Sequence, residues 1–177
     1  DVLEQGGLRV ITTLNYELQA KAEAIAKKYA ESNEKNFNGS NDAFVAINPK
    51  TGGILTMVGS RDYFDKKIDG NFNVTVAHRQ PGSTFKPFVY AEAFIKGYTP
   101  ETVLFDLPTK ISTKYAVDNT TSDNGCYSPG NYDDKFRGPM TLREALAQSI
   151  NVPSVETLYL AGISDSINLA TNMGITS

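Results

Sequence analysis

Arg79-Gln80-Pro81-Gly82-Ser83-Thr84-Phe85-Lys86-Pro87-Phe88 is the stretch on which the reading of this chain turns, because it sets a hydroxyl and an amine one helical turn apart. Pro81-Gly82 is a turn signal, and Pro87 fits a helix only in its first turn, where a missing N–H costs nothing. A helix is therefore expected to begin at about Ser83. Residues three apart share a helix face, so the Lys86 ammonium can reach the Ser83 hydroxyl at an electropositive N-terminus, an arrangement suited to an activated serine. Phe85, Phe88, Val89, Ala91, Ala93, Phe94 and Ile95 make the expected helix apolar on nearly every side, which predicts a central, buried position. For Lys86 to act as a base it must lose its proton far more readily than an ordinary lysine, and burial is the physical means.

Outward from this stretch, the N-terminal side reads as strand, helix and hairpin. Leu8 to Thr13 is a β-branched run that predicts a short strand. Asn15 to Glu31 predicts a helix with Leu18, Ala22, Ile25 and Tyr29 as its buried stripe. Ser32 to Asp42 is polar and predicts a loop. Two apolar runs, Ala43 to Ile47 and Ile54 to Gly59, flank Asn48-Pro49-Lys50-Thr51-Gly52-Gly53 and predict a hairpin buried on both faces.

Beyond Gly97 and Pro100, which end the central helix, a long irregular stretch runs to Met140. Thr141 and Glu144 then form a capping-box pair, and further helices are expected over Val152 to Leu160 and Ser164 to Met173. This mixture of strands and helices is the α+β class.

The totals narrow the chemistry. A formal net charge of -3 over 177 residues, with the charges interspersed, argues against a nucleic-acid groove or an anionic membrane surface as partner. The lone cysteine, Cys126, excludes an internal disulfide and a cysteine zinc cluster, and the lone histidine, His78, has no second ligand nearby. No cofactor or metal is expected. No apolar run approaches the roughly 18 residues of a membrane span.

A Ser-x-x-Lys match alone carries little weight, and Ser32-Asn33-Glu34-Lys35 is a second one, in a polar run read as solvated surface. The Arg79 to Pro87 stretch, however, resembles the nucleophile motif of class A (bifunctional) penicillin-binding proteins, whose motif set is Ser-x-x-Lys, Ser-x-Asn and Lys-Thr/Ser-Gly. Ser122-Asp123-Asn124, Ser149-Ile150-Asn151 and Ser166-Ile167-Asn168 all match the second motif. Ser149-Ile150-Asn151 is favoured by context: it joins two expected helices, and Tyr127 to Tyr132, Gly138 to Arg143 and Ala145 to Pro153 are similar to the family. Lys50-Thr51-Gly52 spells the third motif but precedes the nucleophile and falls in a hairpin turn, and no such tripeptide follows Asn151.

The resemblance implies a β-lactamase/transpeptidase-like (serine D,D-peptidase) fold. This chain would be an incomplete part of it, lacking the C-terminal strands of the sheet, with residues 1–42 a linker region and 43–177 the N-terminal portion of the transpeptidase domain. It implies D,D-transpeptidation, with Ser83 as nucleophile, Lys86 as its base, Ser149 as proton relay and Asn151 as a substrate hydrogen-bonding group. Peptidoglycan stem peptides and β-lactams are the implied partners. A second chain or self-association is expected at the open sheet edge. The parent protein is expected on the extracytoplasmic face of the membrane, anchored there. Two other readings remain: a noncatalytic interaction module, or a β-lactam-hydrolysing or sensing relative. The Asn-x-Ser/Thr matches at Asn38, Asn73 and Asn119 matter only in a glycosylating host, which the resemblance argues against.

Overall fold

A computed structural model describes residues 6–112 and 126–176. The chain divides into two compact units, Asp1–Arg79 and Gln80–Ser177.

In the first unit, helix α1 spans Tyr16–Phe37, and strands β1 (Phe44–Ile47) and β2 (Ile54–Val58) form an antiparallel hairpin. The Asn15 side chain accepts from the Leu18 amide at 3.0 Å and so starts α1, while Asn38 ends it in the left-handed conformation. The helix therefore runs through the expected loop, and Ser32 to Lys35 lie on its exposed last turns. Nothing in that run breaks a helix, since the first glycine is Gly39.

The buried face of α1 also differs from expectation. Of the expected stripe only Ala22 is buried, joined by Ala26 and Ala30, whereas Leu18, Ile25 and Tyr29 are 41%, 57% and 54% exposed. Three alanines at steps of four let the helix backbone come close to β2, where Ala22 and Ala26 pack on Val58. A polar clamp fixes the approach. The Gln19 side chain accepts from the Met57 amide at 2.8 Å and from Thr56 Oγ1 at 2.6 Å, and donates to the Met57 carbonyl at 3.0 Å. With Asn15 N–H on Leu55 O and Val74 N–H on Gly59 O, this occupies the outer edge of β2.

The hairpin is not buried on both faces: Thr56 and Val58 are buried, while Phe44 and Ile47 are 48% and 56% exposed. Leu8 to Thr13 forms no strand, and Val10 and Ile11 are about four-fifths exposed, at 80% and 81%. A β-branched run becomes a strand only where an edge accepts its ladder, and here the contact to β2 is a side-chain one, Thr13 Oγ1 to Ile54 O at 2.7 Å. Lys50-Thr51-Gly52 forms the hairpin turn, with Gly52 at φ +71°.

In the second unit a 3₁₀ turn over Gly82–Phe85 runs into helix α2 (Lys86–Ile95). Strand β3 (Val103–Asp106) pairs antiparallel with β6 (Gly138–Thr141), and β4 (Ile111–Ser112) with β5 (Cys126–Tyr127). Helices α3 (Leu142–Ala147), α4 (Asn151–Ala161) and α5 (Ile163–Asn172) complete it. Val89, Tyr90 and Ala93 of α2 pack with Met140, Leu142, Ala145, Ile150 and Ala161 in one core. The Tyr90 hydroxyl meets Ser154 Oγ at 3.1 Å, giving the buried ring its polar partner. Only one face of α2 is buried, with Ile95 69% exposed, so this helix is less enclosed than its composition predicts. No described helix is long and apolar enough to cross a membrane.

The capping box at α3 forms as expected: Thr141 Oγ1 accepts from the Glu144 amide at 3.2 Å and Glu144 Oε2 accepts from the Thr141 amide at 2.9 Å. These bonds hold the Glu144 carboxyl below its ordinary range. Thr141→Ala is expected to destabilise the second unit by about 1 kcal/mol, read by native-state hydrogen exchange, and an unchanged stability would contradict the cap assigned here.

Candidate active site

Ser83 lies in the 3₁₀ turn after Gly82, whose φ of +54° suits glycine, and it is exposed. Its carbonyl accepts from the Lys86 amide, and Pro87 sits in the first turn of α2, where no N–H is needed. Turn chemistry thus sets Ser83 one turn ahead of the helix.

Lys86 is half-buried, and its ammonium turns to the junction between α3 and α4. Nζ lies 2.7 Å from Ser149 O, 3.1 Å from Ser149 Oγ, 2.8 Å from Asn151 Oδ1 and 3.3 Å from Ile150 O. Four oxygens share three N–H donors. Among the described residues no hydrogen bond joins Lys86 to the Ser83 hydroxyl. The amine that the sequence sets beside Ser83 is held by the second motif instead. Burial pushes its pKa below the ordinary lysine value, because an ammonium loses hydration there.

The junction has a definite construction. After Gln148, Ser149 adopts φ +54°, its amide donates to Leu146 O at 3.0 Å, and the Ile150 amide donates to Ala145 O at 2.9 Å. This is the Schellman ending of a helix, with Ile150 and Ala145 meeting in the core as that motif favours. Glycine normally takes the left-handed position, and serine there carries backbone strain. Asn151 then opens α4. Its side chain does not cap the helix: Oδ1 accepts from Lys86, and Nδ2 donates to Gly130 O at 2.9 Å.

The three Ser-x-Asn matches separate accordingly. Ser149 and Asn151 meet Lys86. Ser166 is buried in α5 and donates to Gly162 O at 2.8 Å. Ser122-Asp123-Asn124, like Asn119, falls outside the described residues. Asn38 and Asn73 serve as caps, and His78 is exposed.

Two residues that sequence reasoning left without a role lie behind the junction: Asn131, buried, accepts from the Asn151 amide at 3.0 Å, and Asp106, fully buried, accepts from Asn131 Nδ2 at 2.7 Å. An acidic residue closing the apolar run Val103-Leu104-Phe105 was the signal available for Asp106.

Ser83 thus lies in the turn that leads into α2, and Lys86, three residues on, is tied to the Ser149-Ile150-Asn151 junction. The family model described as the penicillin-binding protein transpeptidase domain matches residues 43–175, and the chain belongs to this family. It is 35% identical over 179 aligned positions to penicillin-binding protein 2D of Bacillus subtilis (strain 168), covering 99% of this chain and 23% of the relative. It is 40% identical over 122 positions to penicillin-binding protein 1A of Neisseria flavescens, covering 68% of this chain and 14% of the relative.

Among solved structures, penicillin-binding protein 1A from Haemophilus influenzae superposes with a TM-score of 0.62 at 34% identity, over 76% of this chain and 18% of that one. PonA1 from Mycobacterium tuberculosis superposes with a TM-score of 0.73 at 23% identity, over 99% of this chain and 40% of that one, a likeness of fold. The α+β class and the family expected from the motifs both stand. The chain spans less than a quarter of the length of these curated relatives, at 23% and 14%.

Ser149→Gly is expected to stabilise the second unit by about 1 kcal/mol, because glycine removes most of the left-handed penalty. Lys86 keeps three of its four acceptors. Native-state hydrogen exchange of the core amides checks this, and a loss of stability would show that the Ser149 hydroxyl outweighs the strain.

Proposed function

We propose that this chain carries the nucleophile and proton-transfer groups of a peptidoglycan D,D-transpeptidase. The observation that carries the reading is the Lys86 ammonium held between Ser149 Oγ and Asn151 Oδ1, at 3.1 and 2.8 Å. In this scheme Ser83 Oγ attacks the carbonyl between the last two D-alanines of a stem peptide. Its proton passes to the neutral amine of Lys86, which turns from the junction to receive it. The tetrahedral intermediate collapses by breaking the C–N bond. Ser149, already within reach of Lys86, delivers the proton to the leaving D-alanine nitrogen and is reprotonated from Lys86. The product is an ester on Ser83, which an amine from a neighbouring stem resolves to form the crosslink. A β-lactam opens on the same hydroxyl and leaves a stable ester.

Asn151 Nδ2 has one hydrogen on Gly130 O and a second with which to bind the substrate amide. The backbone N–H of Ser83, in the 3₁₀ turn leading into α2, would donate to the developing oxyanion in this scheme. The rest of the oxyanion hole and the Lys-Thr/Ser-Gly wall come, in this proposal, from outside these 177 residues. Residues 1–42 act as a linker region and 43–177 as part of the transpeptidase domain. The parent protein works anchored at the outer face of the cytoplasmic membrane.

A fluorescent penicillin is expected to label Ser83 one-to-one when this chain is joined to, or complemented by, such a strand. Residues 1–177 alone should label slowly or not at all. Ser83→Ala should abolish labelling, and Lys86→Ala should slow it by about 10²- to 10⁴-fold. The rate should rise with pH through a pKa below the ordinary lysine value, since only the neutral amine accepts the proton. Labelling that survives in Ser83→Ala would defeat the proposal, and rapid nitrocefin turnover would mark a hydrolytic relative instead.

A further inference from the structure

The first turn of α4 has a capping problem that its own sequence cannot solve. Ile150, at the position before the helix, is buried in the core and offers no side-chain acceptor. The position cannot be given to serine or aspartate without removing the apolar contact that closes the α3 ending. Pro153, third in the helix, has no N–H. The Asn151 and Val152 amides therefore remain to be satisfied.

Both go to one atom from elsewhere in the unit. Asn131 Oδ1 accepts from Asn151 N at 3.0 Å and from Val152 N at 3.3 Å. The other end of the amide is also fixed. Asn131 Nδ2 donates to Asp106 Oδ1 at 2.7 Å and to Lys135 O at 2.8 Å. A carboxylate only accepts, so Asp106 dictates which end of the Asn131 amide faces α4. Asp106 is itself tied down by the Arg137 amide at 3.0 Å and the Arg137 guanidinium at 3.6 Å. The residue next to Asn131 completes the frame, because Gly130 O accepts from Asn151 Nδ2.

We propose that Asn131 is a positioning residue of the active site: oriented by buried Asp106, it caps α4 from outside and holds Asn151 where its side chain meets Lys86. This rests on the reading of Ser83, Lys86, Ser149 and Asn151 as the reacting groups. Asn131 touches none of the reacting atoms in that scheme. It acts by fixing the backbone that carries Asn151, and Gly130 fixes the side chain.

The test compares amide hydrogen exchange and fluorescent-penicillin labelling in Asn131→Ala, in the Asp106→Asn/Asn131→Asp exchange, and in Ser166→Ala. The last removes a buried hydrogen bond of the same unit remote from the junction. Asn131→Ala should speed exchange of the Asn151 and Val152 amides by on the order of tenfold or more relative to the rest of the unit, whereas Ser166→Ala should not. The paired exchange rebuilds the Asp106–Asn131 hydrogen bond with the roles reversed and keeps an oxygen toward α4. It should recover part of the protection, losing the remainder to the carboxylate facing Lys135 O.

Where the wild-type site labels, Asn131→Ala should slow the acylation step by about tenfold or more with little change in prior penicillin binding. Exchange at Asn151 and Val152 that is unchanged, or that rises no more than elsewhere, overturns the proposal, as does labelling at the wild-type rate. A wild-type chain that never labels even when joined to, or complemented by, a Lys-Thr/Ser-Gly strand defeats the transpeptidase reading, and the exchange result still decides whether Asn131 is the cap.

Discussion

A half-buried ammonium has to find oxygen, and the second unit is arranged around supplying it to Lys86. An ammonium out of water is costly unless its donors are taken up. Here the acceptors come from three consecutive residues, Ser149, Ile150 and Asn151. They converge because the chain ends one helix and starts the next with almost no connection between them. Two carbonyls of the junction point inward as a result, and the two side chains flank them. Four oxygens stabilise the charge while burial disfavours it, leaving the amine closer to neutrality than an exposed lysine.

The local geometry follows from that demand. Ser149 occupies the left-handed position of the α3 ending, where glycine would be more comfortable and would bring no hydroxyl. Strain at such a position persists only where the surroundings overdetermine it. The Schellman bonds hold it from one side. Asn131 and Gly130 hold the start of α4 from the other, and Asp106 with Arg137 stands behind them. Every buried polar side-chain atom described has a partner, so the network is complete rather than half-satisfied.

Much of this was legible in the sequence where short-range rules apply. Pro81-Gly82 and Pro87 marked the entry to α2, though a 3₁₀ turn occupies Gly82–Phe85 and the α-helix begins at Lys86 rather than Ser83, the Thr141–Glu144 pair fixed α3, and Asn-Pro-Lys-Thr-Gly-Gly marked the hairpin turn. The family motifs selected Ser149 and Asn151 over two other matches. What escaped was whatever depends on a partner distant in sequence. The α1 stripe was placed on Leu18, Ala22, Ile25 and Tyr29 by hydrophobicity; of these only Ala22 is buried, together with Ala26 and Ala30, because close approach to β2 excludes larger side chains. Leu8 to Thr13 has strand composition and no ladder to join. Asn131 gives no periodic signal, because its role exists only once β3 brings Asp106 to it. The direction of the Lys86 side chain was likewise open: spacing along α2 permits contact with Ser83, and the acceptors at the distant junction decide the matter.

The central claim is that Lys86 and the Ser149–Asn151 junction are energetically one unit. A double-mutant cycle on Lys86→Met and Asn151→Leu, read as the stability of Gln80–Ser177 by native-state hydrogen exchange, measures it most directly. The account predicts non-additivity, with a coupling of about 1 kcal/mol or more, because Lys86→Met leaves Asn151 Oδ1 without its donor and Asn151→Leu removes the nearer side-chain acceptor of Lys86. Effects that add to within about 0.5 kcal/mol would mean that the two residues merely lie near one another.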